Sequence, residues 1–451
     1  MIEQQPQPQG FLNWLKESVT VKLAFIGILT LLLLIPSSMI DGLIRERSAR
    51  QEETIKEVSD QYSGEQLVQG PVLMIPYKKH VTENDATGKA VTRDIIKNIY
   101  VLPNELNYRA NVVPEILHRG IFEVVVYGSA IKVSGNFSKA DLNLLSISPD
   151  QLLPERARLL FSVSDLKGLK TNPQISVAGQ TVTAEPAYGD TLFSNGLQVA
   201  VNLSGLTDKS LPFEFNLDLK GSQELSFLHL GKTTDVEVKG NWGSPSFDGR
   251  YLPDYRKIDS NSNNFTAKWR MLYYNRPFPQ QWADDDSLLS NDKKTANATF
   301  GVKLLVPVDQ YQKTMRSSKY SLLIILLTFI SLFLTELITK QKVHAFNYIL
   351  IGAAMIIYYT LLLSFSEQLG FNIAYLIASV ATIGLIATFL ASLLKNKKAA
   401  ILFSVILALF YTFIYVIIQL EDLALMIGSI ALFIIVGVLM YFSRKINWDR
   451  H

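Results

Sequence analysis

The sequence predicts an α-helical membrane protein with a large, mainly β extracytoplasmic domain, and three observations predict it. Apolar runs long enough to cross a bilayer recur along the chain; one lies near the N-terminus and five crowd the C-terminal third; the segment between them is polar and broken by Gly, Pro and Asn. Crossing about 30 Å of hydrocarbon takes roughly 20 apolar residues as a helix, because every backbone polar group must be satisfied within the segment. Six runs qualify: 23–40, 320–338, 345–365, 371–394, 399–420 and 423–442. The expected organisation is therefore a cytoplasmic N-terminus (1–22), a transmembrane anchor (23–40), an extracytoplasmic β-rich domain with a helical stalk (41–319), a five-helix transmembrane bundle (320–442) and a cytoplasmic tail (443–451).

The first run is read as a retained anchor. It is about as long as a full span, and Ile35-Pro36-Ser37-Ser38-Met39 is a poor small-residue cleavage site for a signal peptide. Orientation follows from the short loops, which keep Lys and Arg on the cytoplasmic side. Lys340 and Lys342 follow the second run, Lys395, Lys397 and Lys398 follow the fourth, and Arg444, Lys445 and Arg450 lie in the tail. The loops at 366–370 and 421–422 carry neither Lys nor Arg, which places them outside and both termini in the cytoplasm. Arg45, Arg47 and Arg50, just after the first span, argue the other way. Long domains translocate largely regardless of charge, so the short loops decide.

Residues 41–63 are highly charged, with Ile44, Ile55 and Val58 as sparse apolar positions, and read as a helix continuing beyond the anchor. Strand-like runs follow at 72–77, 121–133, 197–203, 213–219 and 299–306. In Phe213-Glu214-Phe215-Asn216-Leu217-Asp218-Leu219 apolar and polar residues alternate strictly, as a strand with one wet and one buried face requires, and Val236-Glu237-Val238-Lys239 repeats the period. The expectation is a mainly antiparallel β domain, with room for two sub-units. The stretches 259–264 and 284–291 read as solvated loops; the second lacks the alternating oxygen ligands and turn glycine of a calcium loop.

Charge and composition exclude several functions. Residues 41–319 hold 33 basic and 33 acidic side chains, so no basic face for nucleic acid is indicated. Without cysteine there is no disulfide, thiolate nucleophile or S-acylation site. The five histidines, His80, His118, His229, His344 and His451, lack zinc spacing, and no Gly-x-Ser-x-Gly elbow, phosphate loop or dinucleotide fingerprint occurs. No enzyme chemistry, cofactor or metal is implied. His229, between Leu228 and Leu230, reads as a partly buried structural imidazole.

Within the last five spans Glu336 is the lone ionisable acid or base, four residues before Lys340. It is expected to reach the interface and pair with Lys340 at i, i+4 spacing, and not to serve as a transport carboxylate. Glu367 should sit at the outer mouth, explained by solvation. Ala374, Ala378 and Thr382, with Gly384, Thr388 and Ser392, form small-residue faces suited to close helix packing. Trp242, hemmed by turn formers, is a candidate recognition residue, though a core aromatic closing the end of a sheet is the favoured reading.

Several separated segments together resemble the CreD family of inner membrane proteins, also described as cell envelope integrity or Cet-type proteins. They are Gly70-Pro71-Val72-Leu73-Met74-Ile75-Pro76, Arg119-Gly120-Ile121-Phe122, Val126-Tyr127-Gly128, Asn241-Trp242-Gly243-Ser244-Pro245-Ser246-Phe247, Phe265-Thr266-Ala267-Lys268-Trp269 and Val308-Asp309-Gln310-Tyr311-Gln312. In the bundle, Leu334-Thr335-Glu336, Phe346-Asn347-Tyr348 and Ala374-Tyr375-Leu376-Ile377-Ala378-Ser379 continue the match. The resemblance implies a bacterial inner-membrane protein tied to envelope stress, and brings no catalytic residues with it. Two functions follow as expectations: a non-enzymatic envelope protein whose periplasmic domain binds a protein partner or envelope component, and, as the alternative, a transporter or flippase-like protein built on the bundle. The lipid bilayer is a partner of either.

Overall fold

The computed structural model describes residues 19–84, 90–189, 192–204, 210–259, 261–290, 292–306, 310–339, 341–394, 397–420 and 424–443. The chain divides into two compact units, one of residues 1–51 with 308–451 and the other of residues 52–307.

The second unit is a β-sandwich of a nine-stranded and an eight-stranded sheet. The eight-stranded sheet runs Tyr255–Asp259, Asn264–Leu272, Thr233–Gly240, Glu105–Arg119, Phe122–Phe137, Leu211–Ser222, Gln174–Val177, Gln180–Thr183. Its pairings are antiparallel except where Thr233–Gly240 lies parallel to 105–112. The nine-stranded sheet is organised by the long strand Gln66–Asn84. Its first residues pair in parallel with Glu224–Leu228 and antiparallel with Ala157–Val163, and its remainder pairs antiparallel with Ala90–Val101. The mainly antiparallel expectation holds, with these two parallel pairs as exceptions.

Alternation decides which side chains enter the sandwich. Along Leu211–Ser222, Phe213, Phe215, Leu217 and Leu219 are buried while Glu214 and Asn216 face solvent. Rings from the two sheets meet in the interior: Phe161 with Phe215 at 4.9 Å between centroids, Tyr108 with Phe227 at 5.0 Å, and Trp269 with Phe300 at 5.5 Å. Such pairs add about 0.5–1.5 kcal/mol each beyond the area they bury, and they tie both sheets into one core. A single sandwich, rather than two sub-units, is thus the outcome. The register of Gln66–Asn84 against Ala157–Val163 slips between Gln69 and Val72. Gly70 sits at that bulge with φ +100°, and a Cβ there would stand 2.9 Å from Phe161 Cα, so only glycine fits. Pro71 beside it has no N–H to give to the ladder.

The first unit is helical. Helix α1 is Val19–Tyr62, of which residues 19–51 belong to this unit; α2 is Gln310–Lys319, α3 Ser321–Thr339, α4 Ala345–Leu369, α5 Phe371–Leu393, α6 Lys397–Gln419 and α7 Ala424–Ser443. The apolar run and the charged stretch after it form one uninterrupted helix in α1, as the sequence indicates. Among the described residues five helices, α1 and α3 to α6, are long and apolar enough to cross a membrane. The sixth expected span is met only by a shorter apolar stretch, Met426–Gly437, within α7.

One packing expectation is corrected. Ala374, Ala378 and Thr382 are buried, but Gly384, Thr388 and Ser392 are exposed, and nothing approaches Gly384. Two residues separate Thr382 from Gly384, a turn of about 200° around the helix, so the second set lies opposite the first.

Candidate functional site

Among the described residues of the bundle, Glu336 is the acid classed as buried. It lies on the covered face of α3, whose polar residues Ser321, Thr328, Ser331 and Thr335 fall on the same side at helical spacing and are also buried. The side chain is 11% exposed. One carboxylate oxygen takes a charge-assisted hydrogen bond from Lys22 Nζ of α1, and the other accepts from Tyr348 Oη of α4 at 3.3 Å. Lys22 also donates to the Val343 carbonyl at 2.9 Å and stands 5.6 Å from the centre of the Tyr348 ring. Phe329 meets the Tyr348 ring edge to face at 5.7 Å.

The expected i, i+4 pair with Lys340 is not among the described contacts. Lys340 lies outside the described residues, and the partner found is 314 positions away. Nor does the carboxylate reach for solvent, because α1 covers it. Lys22 was not singled out in the sequence, where it looks like an ordinary flanking charge one residue before an apolar run. The signal available was the polar stripe on α3, which marks a face that another polar helix must cover.

Two further contacts show what the pair does. Ser37 and Ser321 hydroxyls are 2.8 Å apart, and Ser318 Oγ donates to Asp41. Lys22 to Ser37 and Ser321 to Glu336 are both fifteen residues, about 22 Å of helix rise. The helices α1 and α3 are therefore antiparallel and pinned at both ends in a single register. Apolar packing in lipid has little power to choose a register, whereas polar contacts at fixed spacing do choose one.

Glu367, expected as a solvated residue at the outer mouth, is instead largely covered, with a side chain 14% exposed. It accepts from Tyr311 Oη at 2.9 Å and lies 3.8 Å from Arg47 Nε. One of the three arginines that weigh against the charge rule is thus held by an acid of the bundle. Trp242 is half-buried and packs against the sandwich core, with its indole N–H buried and without a partner among the described residues. The structure does not bring Glu336, Glu367 and Trp242 into one site: the two acids bond to different partners, and Trp242 belongs to the β-sandwich unit.

In the β-sandwich, His229 is fully buried and its ring is met edge-on by Tyr251 at 5.9 Å. Burial, helped by the nearby Arg276 guanidinium, pushes its pKa down from 6.5 to about 4, so it is a neutral core imidazole at pH 7. Arg276 is itself buried and gives its protons to the Phe278 and Leu230 carbonyls and to Gln280 Oε1. In the acidic segment Asp284 accepts from Tyr77 at 2.8 Å and from Lys79, and Asp286 accepts from Tyr100 at 2.8 Å. These acids fasten strands rather than sit in a free loop. Among the described residues no group of three or more His, Asp or Glu is placed to hold a metal ion.

Apolar helices sharing buried polar contacts, together with a large β-sandwich unit, define a multi-pass membrane protein with a large β-rich domain. The family model of the inner membrane protein CreD matches residues 18–449, and the chain belongs to that family. It is 29% identical over 419 residues to the inner membrane protein CreD of Escherichia coli (strain K12), covering 93% of this chain and 91% of that protein.

Proposed function

We propose that this protein is a non-enzymatic inner-membrane component serving cell envelope integrity or the envelope stress response, and that its β domain binds a protein partner or envelope component in the periplasm. In this reading both termini are cytoplasmic, as the Lys and Arg of the short loops favour. The observation that carries the binding role is the edge of the eight-stranded sheet. Its terminal strand, Tyr255–Asp259, exposes Tyr255 and Ile258, and beside it in sequence or ladder stand the exposed Leu252, Leu272, Tyr273 and Tyr274. An open strand edge with aromatic and aliphatic side chains is suited to pairing with an extended segment of another chain. Solitary exposed apolar residues are ordinary, but six on or next to a terminal strand that has no outer partner among the described residues are not.

A photocrosslinking residue placed at Leu252 or Tyr274, which are 70% and 75% exposed, tests this in living cells. Discrete crosslinked species from both positions, and none from the exposed Tyr188, are expected. Identical patterns at all three positions would remove the edge as a binding surface.

A further inference from the structure

The bundle holds a second polar group that shares no residue with the Glu336 contacts. Tyr358 of α4 is met edge-on by Tyr359 at 4.8 Å, by Tyr411 of α6 at 4.8 Å, and by Tyr375 of α5 at 6.0 Å. Tyr375 is satisfied, since its hydroxyl donates to the Tyr411 carbonyl at 2.7 Å. The hydroxyls of Tyr358, Tyr359 and Tyr411 have no hydrogen-bond partner of normal geometry among the described residues, and neither have those of Ser317 and Ser379. All five residues are buried, none more than 7% exposed. Ser317, Ser379 and Tyr375 stand near enough to the Tyr358 hydroxyl to interact with it. Five buried hydroxyls from α2, α4, α5 and α6 thus gather in one part of the bundle.

Ring packing does not explain this choice of side chain. Phe makes the same edge-to-face contacts, and the chain uses Phe at 24 positions. A hydroxyl without a partner is costly anywhere in a protein interior and more so at membrane depth, so native structures leave few. Convergent polar groups between the helices of a bundle are a recurrent form of binding site. One internal water makes about three hydrogen bonds, so about two would serve these five hydroxyls.

We propose that this part of the bundle is a hydrated site, in which Tyr358, Tyr359, Tyr411, Ser317 and Ser379 bind internal water. This goes beyond a role in envelope binding, because it gives the bundle an interior that exchanges with solvent instead of a dry anchor.

Radiolytic hydroxylation of the full chain in proteoliposomes tests it, since the radical forms from water and labels only side chains in contact with water. Tyr188, 92% exposed, sets the wet reference, and Phe329, with no exposure, sets the dry one. Hydroxylation of Tyr358, Tyr359 and Tyr411 at rates closer to Tyr188 than to Phe329 is expected. Tyr411→Phe with Ser379→Ala, which withdraws two of the five hydroxyls, should lower labelling at Tyr358 several-fold in chains that still assemble. Labelling of the three tyrosines at the rate of Phe329 in the unmodified protein overturns the proposal without need of any variant.

Discussion

Glu336→Gln keeps the shape of the side chain and its bond to Tyr348 while deleting the charge that Lys22 is paired with. The cost can be bracketed from exposure. Solvent-exposed pairs contribute about 0–1 kcal/mol, and removing one partner of a fully buried pair costs about 3–5 kcal/mol. Here the acid is 11% and the base 25% exposed, and Lys22 keeps the Val343 carbonyl and the Tyr348 ring. A loss of about 2 kcal/mol is therefore expected, roughly a 30-fold change in the folding equilibrium. Lys22→Met should cost at least as much, because it strands a covered carboxylate. The double change should fall short of the sum by about 1–3 kcal/mol, the usual coupling of contacting groups. Lys340→Gln should stay within about 0.5 kcal/mol of the unmodified protein. Reversible unfolding of the bundle in mixed micelles, followed by loss of its helical circular dichroism, measures all four. If both single changes cost under about 0.5 kcal/mol, or if their effects simply add, the pair does not hold α1 on α3.

Acid should weaken the β-sandwich through His229. Its pKa is about 4 when folded against 6.5 when exposed, so the contribution is complete above pH 6.5 and is lost as pH falls towards 4. The loss amounts to about 3 kcal/mol between pH 7 and pH 4. Denaturant midpoints across that range should flatten in His229→Asn, and an unchanged slope would show that the imidazole is not the responsive group. Gly70→Ala combines φ +100° with a Cβ 2.9 Å from Phe161 Cα, and should destabilise the sandwich by at least about 2 kcal/mol by chemical denaturation. For Trp242→Ala, a half-buried ring on the core predicts about 2–3 kcal/mol of lost domain stability. Unchanged stability together with lost crosslinking to an envelope partner would instead make Trp242 part of a recognition surface.

Much of this architecture was legible in the sequence because two periodicities and one length rule carry it. Alternation in residues 213–219 marks the strand and its buried face, and apolar length marks α1 and α3 to α6. What escaped depends on pairing across long separations. Nothing local distinguishes Lys22 from any flanking lysine, and its partner is fixed only when α1 lies antiparallel to α3 with matching fifteen-residue spacings. The i, i+4 rule weighs neighbours within one helix and carries no information on a second helix covering the same face. The tyrosine group was missed for a related reason. Tyr358, Tyr375 and Tyr411 come from three helices, and within an apolar run a tyrosine reads as another large ring until its hydroxyl is seen to be buried. Gly70-Pro71 was visible as a motif, but its meaning as a bulge emerges only from the register against Ala157–Val163.

Which side of the membrane each segment occupies decides whether the β domain can meet the envelope, and side-specific reporters test that directly. A reporter active only in the cytoplasm is fused after Lys342, after Lys398 and after Arg450, and one active only in the periplasm is inserted within 261–264. Activity of all four at these positions, and silence when the two reporters are exchanged, is expected. Periplasmic activity after Lys342, Lys398 or Arg450, or cytoplasmic activity within 261–264, would contradict the topology and with it a β domain facing the envelope.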